Sequence, residues 1–256
     1  IIFTMVVYQQ IQFMQEKNLG IDKNNILVLQ STGRLGSNKE AFKNSLVEQS
    51  NIVKVSYTNN TFPGVNNTTV FRAAASEHDH VMGLYYADQD HMDVIRFELK
   101  EGRYFSKDFP SDSTAIILNE AAVKEFGFNN PIGEEIIFYG DGGKGLRLKV
   151  VGVVKNFNFE SFKTEVRPMS IRYTADADNL MIRYQGDPAE LVSSVESLWK
   201  GQAVSEPFEY VFLDENFDKL FRAEERMGDI FSIFSGLAIF IASLGLFALA
   251  AFTAEQ

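Results

Sequence analysis

The sequence lacks cysteine, and it has only three histidines and one tryptophan in 256 residues. Without cysteine the chain cannot form disulfides, thiolate nucleophiles or zinc sites with sulfur ligands. Basic residues are outnumbered, since 24 Lys and Arg face 34 Asp and Glu and leave a net charge of −10. Nucleic acids and anionic lipid surfaces both attract clustered lysine and arginine. The charge therefore argues against either as the partner of the folded body.

Charged residues are also absent from residues 230–253. As a helix this stretch would be about 36 Å long, which exceeds the hydrocarbon core of a membrane at about 30 Å. A buried core helix is usually shorter and keeps a polar stripe, which this stretch lacks. We therefore predict a transmembrane helix over residues 230–253. The charged residues 214–229 are predicted to form a stalk helix in front of it.

A strand, helix and strand pattern occurs near the start of the chain. Residues 25–30 predict one strand, and the alternating pattern of residues 52–57 predicts a second. Between them, Ser37 followed by Glu40 matches a capping box, which predicts the start of a short helix.

The same pattern recurs near the end of the chain. Residues 180–184 and 208–213 predict strands, and Asp187 followed by Pro188 predicts a capped helix start between them. The apolar face of that helix is predicted at helical spacing. It comprises Leu191, Val192, Val195, Leu198 and Trp199.

The middle of the chain predicts short strands and one helix that begins at Asn119 and ends at Gly127. The strands are predicted at residues 81–87, 115–118, 135–139 and 146–154. We therefore predict an α+β fold with two lobes, an α/β lobe built from both chain ends and an inserted β-rich lobe. The predicted boundaries are 1–19 for the end of a transmembrane helix and a stalk, 20–65 with 165–213 for the α/β lobe, 66–164 for the inserted lobe, 214–229 for the stalk helix and 230–253 for the span.

The three histidines, His78, His80 and His91, lie close together among several aspartates. The H-x-H spacing could place two rings on one side of a strand and form a metal site. The alternative is an exposed polar loop followed by a capped helix at Asp90. Because no H-E-x-x-H helix accompanies the histidines, the alternative is favoured.

Other candidate sites are weaker. The glycine run at residues 140–145 lacks the spacing of a phosphate loop and predicts a hairpin turn. No G-x-S-x-G elbow supports Ser161 or Ser170 as a nucleophile. Phe157, Phe159 and Phe162 could form a docking surface, although core packing where the lobes meet is favoured. We therefore assign no catalytic, metal or cofactor-binding residue, and no cofactor.

Several segments, in their order along the chain, resemble the periplasmic core domain of MacB/FtsX-like ABC transporter permeases. They are KNLGIDKNNILVL at residues 17–29, LKEGRYFSKDF at 99–109, ILNEAAVKEFGFNNPIGEEI at 117–136, VVGVVKNFNFESFKTEVRP at 150–168, and the segment from residue 212 that begins FLDENFDKLF. The resemblance covers nearly the whole chain and is to a fragment of a longer permease.

The resemblance implies a two-lobed domain in the periplasm and a multi-pass protein of the cell inner membrane. It also implies a separate cytoplasmic ABC ATPase subunit, a homodimer or a pseudo-dimer of permease halves, and a periplasmic cargo or partner protein. The expected function is a non-catalytic permease subunit of the mechanotransmission type. In this type, ATP hydrolysis in the partner moves the periplasmic domain for efflux, lipoprotein handling or signalling.

Two other classes of protein are also compatible with these residues. One is the ligand-binding extracytoplasmic sensor domain of a receptor with two membrane spans. The other is a membrane-tethered metal-dependent enzyme, which depends only on the three histidines. No transported substrate follows from the sequence.

Overall fold

The fold is that of a computed structural model of the chain. It describes residues 20–65, 67–140, 144–158, 165–202 and 206–254. The chain divides into two units, which are Leu19–Phe217, and Ile1–Asn18 together with Asp218–Gln256. The predicted helix end and stalk at residues 1–19 lie outside the described residues.

Eleven strands and five α-helices are present in the described residues. The strands are β1 (Ile26–Leu29), β2 (Ile52–Thr58), β3 (Thr68–Ala73), β4 (Asp79–Ala87), β5 (Leu99–Gly102), β6 (Ala115–Asn119), β7 (Glu135–Tyr139), β8 (Gly145–Val154), β9 (Met169–Tyr173), β10 (Asn179–Tyr184) and β11 (Tyr210–Phe212). The helices are α1 (Lys39–Val47), α2 (His91–Ile95), α3 (Glu120–Phe126), α4 (Pro188–Gln202) and α5 (Leu213–Ala254).

The α/β lobe contains strands in the order β11-β1-β10-β2, and all neighbours are antiparallel. β10 therefore separates β1 from β2, and β1 separates β10 from β11, so that two split β-α-β units interlock. Helices α1 and α4 contribute to one hydrophobic cluster with the strands. Within it, the rings of Phe42 and Trp199 meet edge to face at 5.7 Å, and neither residue is exposed. The two β-α-β units, one from each end of the chain, thus share one hydrophobic core.

The β-rich lobe is a closed ring of six strands. The ring runs β4-β3-β7-β8-β6-β9, and β9 returns to pair with β4. Closure leaves no unpaired edge among these six strands. Its separate core is apolar and includes Phe71, Met82, Ile116, Ile136 and Leu148. The predicted α+β fold with an inserted β-rich lobe is therefore confirmed, whereas the exact lobe boundaries stay a prediction.

The close approach of β8 to the chain beyond β5 requires a glycine. A Cβ atom added at Gly152 would overlap the backbone carbonyl oxygen of Arg103, which cannot rotate away. We expect Gly152→Ala to lower the free energy of unfolding by about 3 kcal/mol, the upper end for overpacking. Thermal unfolding by circular dichroism checks this. Gly201→Ala in α4 is the control, because its Cβ meets open space; equal effects of the two changes would contradict the steric argument.

Local signals predicted three helix ends correctly. The Asp187 carboxylate accepts hydrogen bonds from the backbone N–H groups of Ala189 and Glu190 at 2.8 and 3.0 Å. Asn119 likewise accepts from the Ala122 N–H at 2.9 Å, and Gly127 ends α3 in the left-handed conformation. These contacts satisfy N–H groups that the first turn of a helix leaves free.

The predicted capping box at Ser37 is wrong. A 3-10 turn, Thr32–Asn38, already includes Ser37, and α1 begins only after Asn38 without a side-chain cap. An N-cap residue needs an extended backbone, whereas Asn38 has φ −85° and ψ −2°, which lie in the helical region. β3, β5 and β9 have no counterpart among the strands predicted from the sequence.

Helix α5 continues for 42 residues. Its segment Ile230–Phe247 has a mean hydropathy of 2.3, and none of it is buried. By length and composition this segment could cross a membrane, which agrees with the span predicted at residues 230–253. The side chains of residues 220–229 lie outside the description.

Candidate functional site

The candidate site is a cavity of about 400 Å³ where the two lobes meet. Helix α1 of the α/β lobe contributes Glu40 and Lys43. The end of β4, the loop after β5 and the end of β9 contribute the opposite side, including Asp88, Phe109 and Tyr173. Residues from distant parts of the sequence thus form one mixed polar and aromatic pocket.

A buried ion pair connects the lobes beside this cavity. The Lys43 ammonium donates to Asp88 Oδ2 at 2.6 Å and to Asp90 Oδ2 at 2.7 Å. Asp88 also accepts the backbone N–H of Tyr57 at 2.9 Å. Lys43 is 7% exposed and Asp88 is 2% exposed. Because both charges are removed from water, loss of either partner would leave the other buried and unpaired, which is strongly destabilising.

The protonation of this cluster follows from its geometry. Burial disfavours the charged form of Lys43, but Asp88 and Asp90 outweigh burial and raise its pKa. For Asp90, burial is outweighed by hydrogen bonds from Lys43, Gln89 and Lys54, so that its pKa is lowered. Lys43 and Asp90 therefore stay ionised across the ordinary pH range.

His91 lies behind this cluster and is not exposed. Its Nδ1 is 2.8 Å from Ser56 Oγ, and its Nε2 is 2.6 Å from the Tyr85 hydroxyl. Burial, together with the positive charge of Lys43, lowers the pKa of His91 to about 3. The ring is therefore neutral, and both of its nitrogens are used within the core.

The structure does not bring the three histidines together as a metal site. His80 Nδ1 lies 2.9 Å from Glu125 Oε1, while His78 is exposed and precedes β4. Within the described residues, no group of three His, Asp or Glu side chains could hold a metal ion. Helix α2 follows Asp90, but Asp90 makes no capping hydrogen bond, because its carboxylate binds Lys43 and Lys54 instead.

The loop after β5 forms the far wall of the cavity. Two nitrogens of the Arg103 guanidinium donate to the two Asp112 oxygens at 2.9 and 2.6 Å. The same guanidinium lies 4.0 Å from the centre of the Phe109 ring. Asp112 further accepts the Ser106 N–H at 2.9 Å. Arg103 and Phe109 lie in the segment at residues 99–109 that carries the family resemblance, but nothing in the sequence indicated the pairing of Arg103 with Asp112.

The remaining candidates have structural positions. Phe157 is 1% exposed and packs its ring 4.6 Å from that of Phe97, which agrees with core packing. Phe159, Phe162 and Ser161 lie outside the described residues. Ser170 is buried and donates to the carbonyl oxygen of Gly83 at 3.0 Å.

The predicted hairpin is consistent with the neighbouring strands. β7 and β8 pair antiparallel, with Tyr139 opposite Gly145. Residues 141–143 between them lie outside the description.

Similar folds occur in solved structures. The periplasmic region of MacB from Actinobacillus actinomycetemcomitans is 17% identical, covers 81% of this chain and 97% of its own, and has a TM-score of 0.56. A domain of a permease protein from Porphyromonas gingivalis is 13% identical, covers 73% of this chain and 89% of its own, and has a TM-score of 0.52. At these identities the similarity establishes the fold alone.

Sequence comparison adds the family. No curated protein sequence is similar enough to count as a match. The family model described as the MacB-like periplasmic core domain matches residues 1–198, which is most of the chain. The chain therefore belongs to the family of MacB-like periplasmic core domains of ABC-type transporter permeases.

Proposed function

We propose that this protein is a permease subunit in which helix α5 transmits movement between the membrane and the two lobes. A separate cytoplasmic ATPase subunit would supply the energy, and the lobes would contact a periplasmic cargo or partner. The single observation that carries this proposal is the continuity of α5 from Leu213 to Ala254. Membership of the MacB-like family supports a role for this chain within a transporter.

A continuous helix is suited to this task because its backbone hydrogen bonds resist bending, whereas a Gly/Ser linker behaves as a flexible coil. The helix starts directly after β11, which pairs with β1 in the α/β lobe. In its first turns, Leu213 and Phe217 are fully buried. The amino-terminal turns of α5 are thus anchored in a packed core, and its apolar part Ile230–Phe247 suits a lipid environment.

The lobes themselves are also suited to receive movement. β2 and β4 share one registered pair, Thr58 opposite Ala87, and each lobe has its own hydrophobic cluster. The lobes also meet through buried rings, since Phe62 stacks on Tyr85 at 5.2 Å. Two cores with a short shared ladder can change their relative angle at lower cost than one continuous core. The Lys43–Asp88 ion pair would stabilise one relative orientation of the two lobes.

The experiment compares two insertions next to Gly228 in the full-length permease with its ATPase. A seven-residue Gly/Ser insertion interrupts the helix, while a seven-residue Ala/Glu/Lys insertion adds about two helical turns. We expect the Gly/Ser variant to hydrolyse ATP without the coupled efflux or signalling, and the helical variant to retain much of that output. Protein levels measured by immunoblot are the control for both variants. Unchanged output from the Gly/Ser variant at normal protein level would overturn the proposal.

A further inference from the structure

We propose that the cavity between the lobes binds a small zwitterion of amino-acid or dipeptide size, with its ammonium group at Glu40 and its carboxylate at Lys107. This inference is independent of the coupling through α5. The cavity of about 400 Å³ falls within the range of about 300–1,000 Å³ that is typical of small-molecule sites. An amino acid or a dipeptide fits this volume, whereas a folded partner does not.

Most charged groups around the cavity already have partners. Lys43 binds Asp88 and Asp90, and Asp112 is held by two nitrogens of the Arg103 guanidinium. A ligand that competed for these groups would have to break buried ion pairs. They therefore form the rigid frame of the site and leave recognition to other side chains.

Glu40 and Lys107 are the charges that remain available. Both line the cavity and are exposed, and neither forms an ion pair with any side chain in the part of the chain that is described. Glu40 lies in the first turn of α1 in the α/β lobe, whereas Lys107 lies in the loop after β5, outside that lobe. A simple anion would meet the Glu40 carboxylate, and a simple cation would meet the Lys107 ammonium. A ligand that carries both charges can pair with the Glu40 carboxylate and with the Lys107 ammonium.

An aromatic wall adds a place for an apolar side chain of the ligand. Phe109 lines the cavity and is 45% exposed, although the Arg103 guanidinium lies 4.0 Å from its ring centre. Tyr173 also lines the cavity, and its hydroxyl donates to Gln89 at 3.3 Å. Ordered aromatic groups beside a few polar ones are typical of sites for small organic molecules. A ligand with an apolar side chain would gain affinity from this wall.

Binding is tested by isothermal titration calorimetry on the full chain in detergent. The probes are phenylalanine, lysine, glutamate and the dipeptide Ala-Phe, together with N-acetyl-Ala-Phe-amide, which lacks both terminal charges. We expect saturable binding of phenylalanine or Ala-Phe and at least about tenfold weaker binding of the blocked dipeptide. Each of Glu40→Gln and Lys107→Gln should weaken binding of the same probe about tenfold, which corresponds to about 1.4 kcal/mol.

The matched controls are Glu48→Gln and Lys124→Gln. Both side chains are exposed and lie outside the cavity, so these changes alter the net charge equally without touching the site. Their binding should equal that of the parent protein. The proposal is overturned if none of the charged probes binds, if the blocked dipeptide binds as well as Ala-Phe, or if the controls weaken binding as much as the cavity variants.

Discussion

Replacing Lys43 by methionine is expected to lower the free energy of unfolding by about 3–5 kcal/mol, because the change leaves a buried carboxylate without its counter-charge. Asp88 is 2% exposed and would keep the hydrogen bonds from the backbone N–H groups of Tyr57 and Asp90 but lose its charged partner. Methionine has a similar length and an unbranched chain, so that little of the effect comes from lost volume.

The measurement is urea unfolding followed by fluorescence. The chain has one tryptophan, Trp199, and it is fully buried in the α/β lobe that contains Lys43. The matched control is Lys54→Met, whose partly exposed ammonium lies 3.2 Å from Asp90 and should contribute less than about 1 kcal/mol. If both variants were equally stable, the buried pair would not be a principal connection between the lobes.

Acidification is expected to destabilise the protein through His91. In the folded protein the pKa of His91 is lowered from 6.5 to about 3. Below pH 6.5 the unfolded chain therefore binds a proton that the folded protein does not accept until pH 3. The neutral ring contributes its full stability above pH 6.5, and this contribution falls by about 1.4 kcal/mol per pH unit toward pH 3.

The test compares the parent protein with His91→Gln, which removes the titrating group and keeps a polar side chain near Ser56 and Tyr85. Unfolding free energies are measured from pH 8 to pH 4. Other carboxylates titrate in both proteins, so that the difference between the two curves isolates His91. The parent should lose stability more steeply below pH 6.5; parallel curves would show that His91 takes up its proton without unfolding.

Local chemistry explains which parts of the fold were predictable. The helix that follows Asp187 and the one between Asn119 and Gly127 are set by residues within a few positions of their ends. Period and capping signals in the sequence carry that information. At Ser37 the same signal failed, because a 3-10 turn shifted the start of α1 to Lys39.

Long-range pairing explains what was missed. β9 pairs with β4 in parallel, with Gly83 opposite Met169, and this contact closes the ring. The two strands are far apart in the sequence, and a strand of five residues leaves a weak periodic signal. The Lys43–Asp88 pair could not be predicted for the same reason, because the two residues are far apart in the sequence and meet only in the folded chain. The spacing of the three histidines suggested a metal site, whereas the burial of His91 determines its protonation state.

Rigid coupling through α5 is tested by a distance measurement that spans this helix. Because the chain has no cysteine, Glu190→Cys and Thr253→Cys allow specific attachment of two nitroxide labels to the chain in lipid nanodiscs. Both positions are exposed. If α5 transmits movement as proposed, pulsed electron paramagnetic resonance should give one narrow distribution of distances between the α/β lobe and the apolar end of the helix. A broad or multiple distribution, as from a hinge within residues 218–229, would contradict the account.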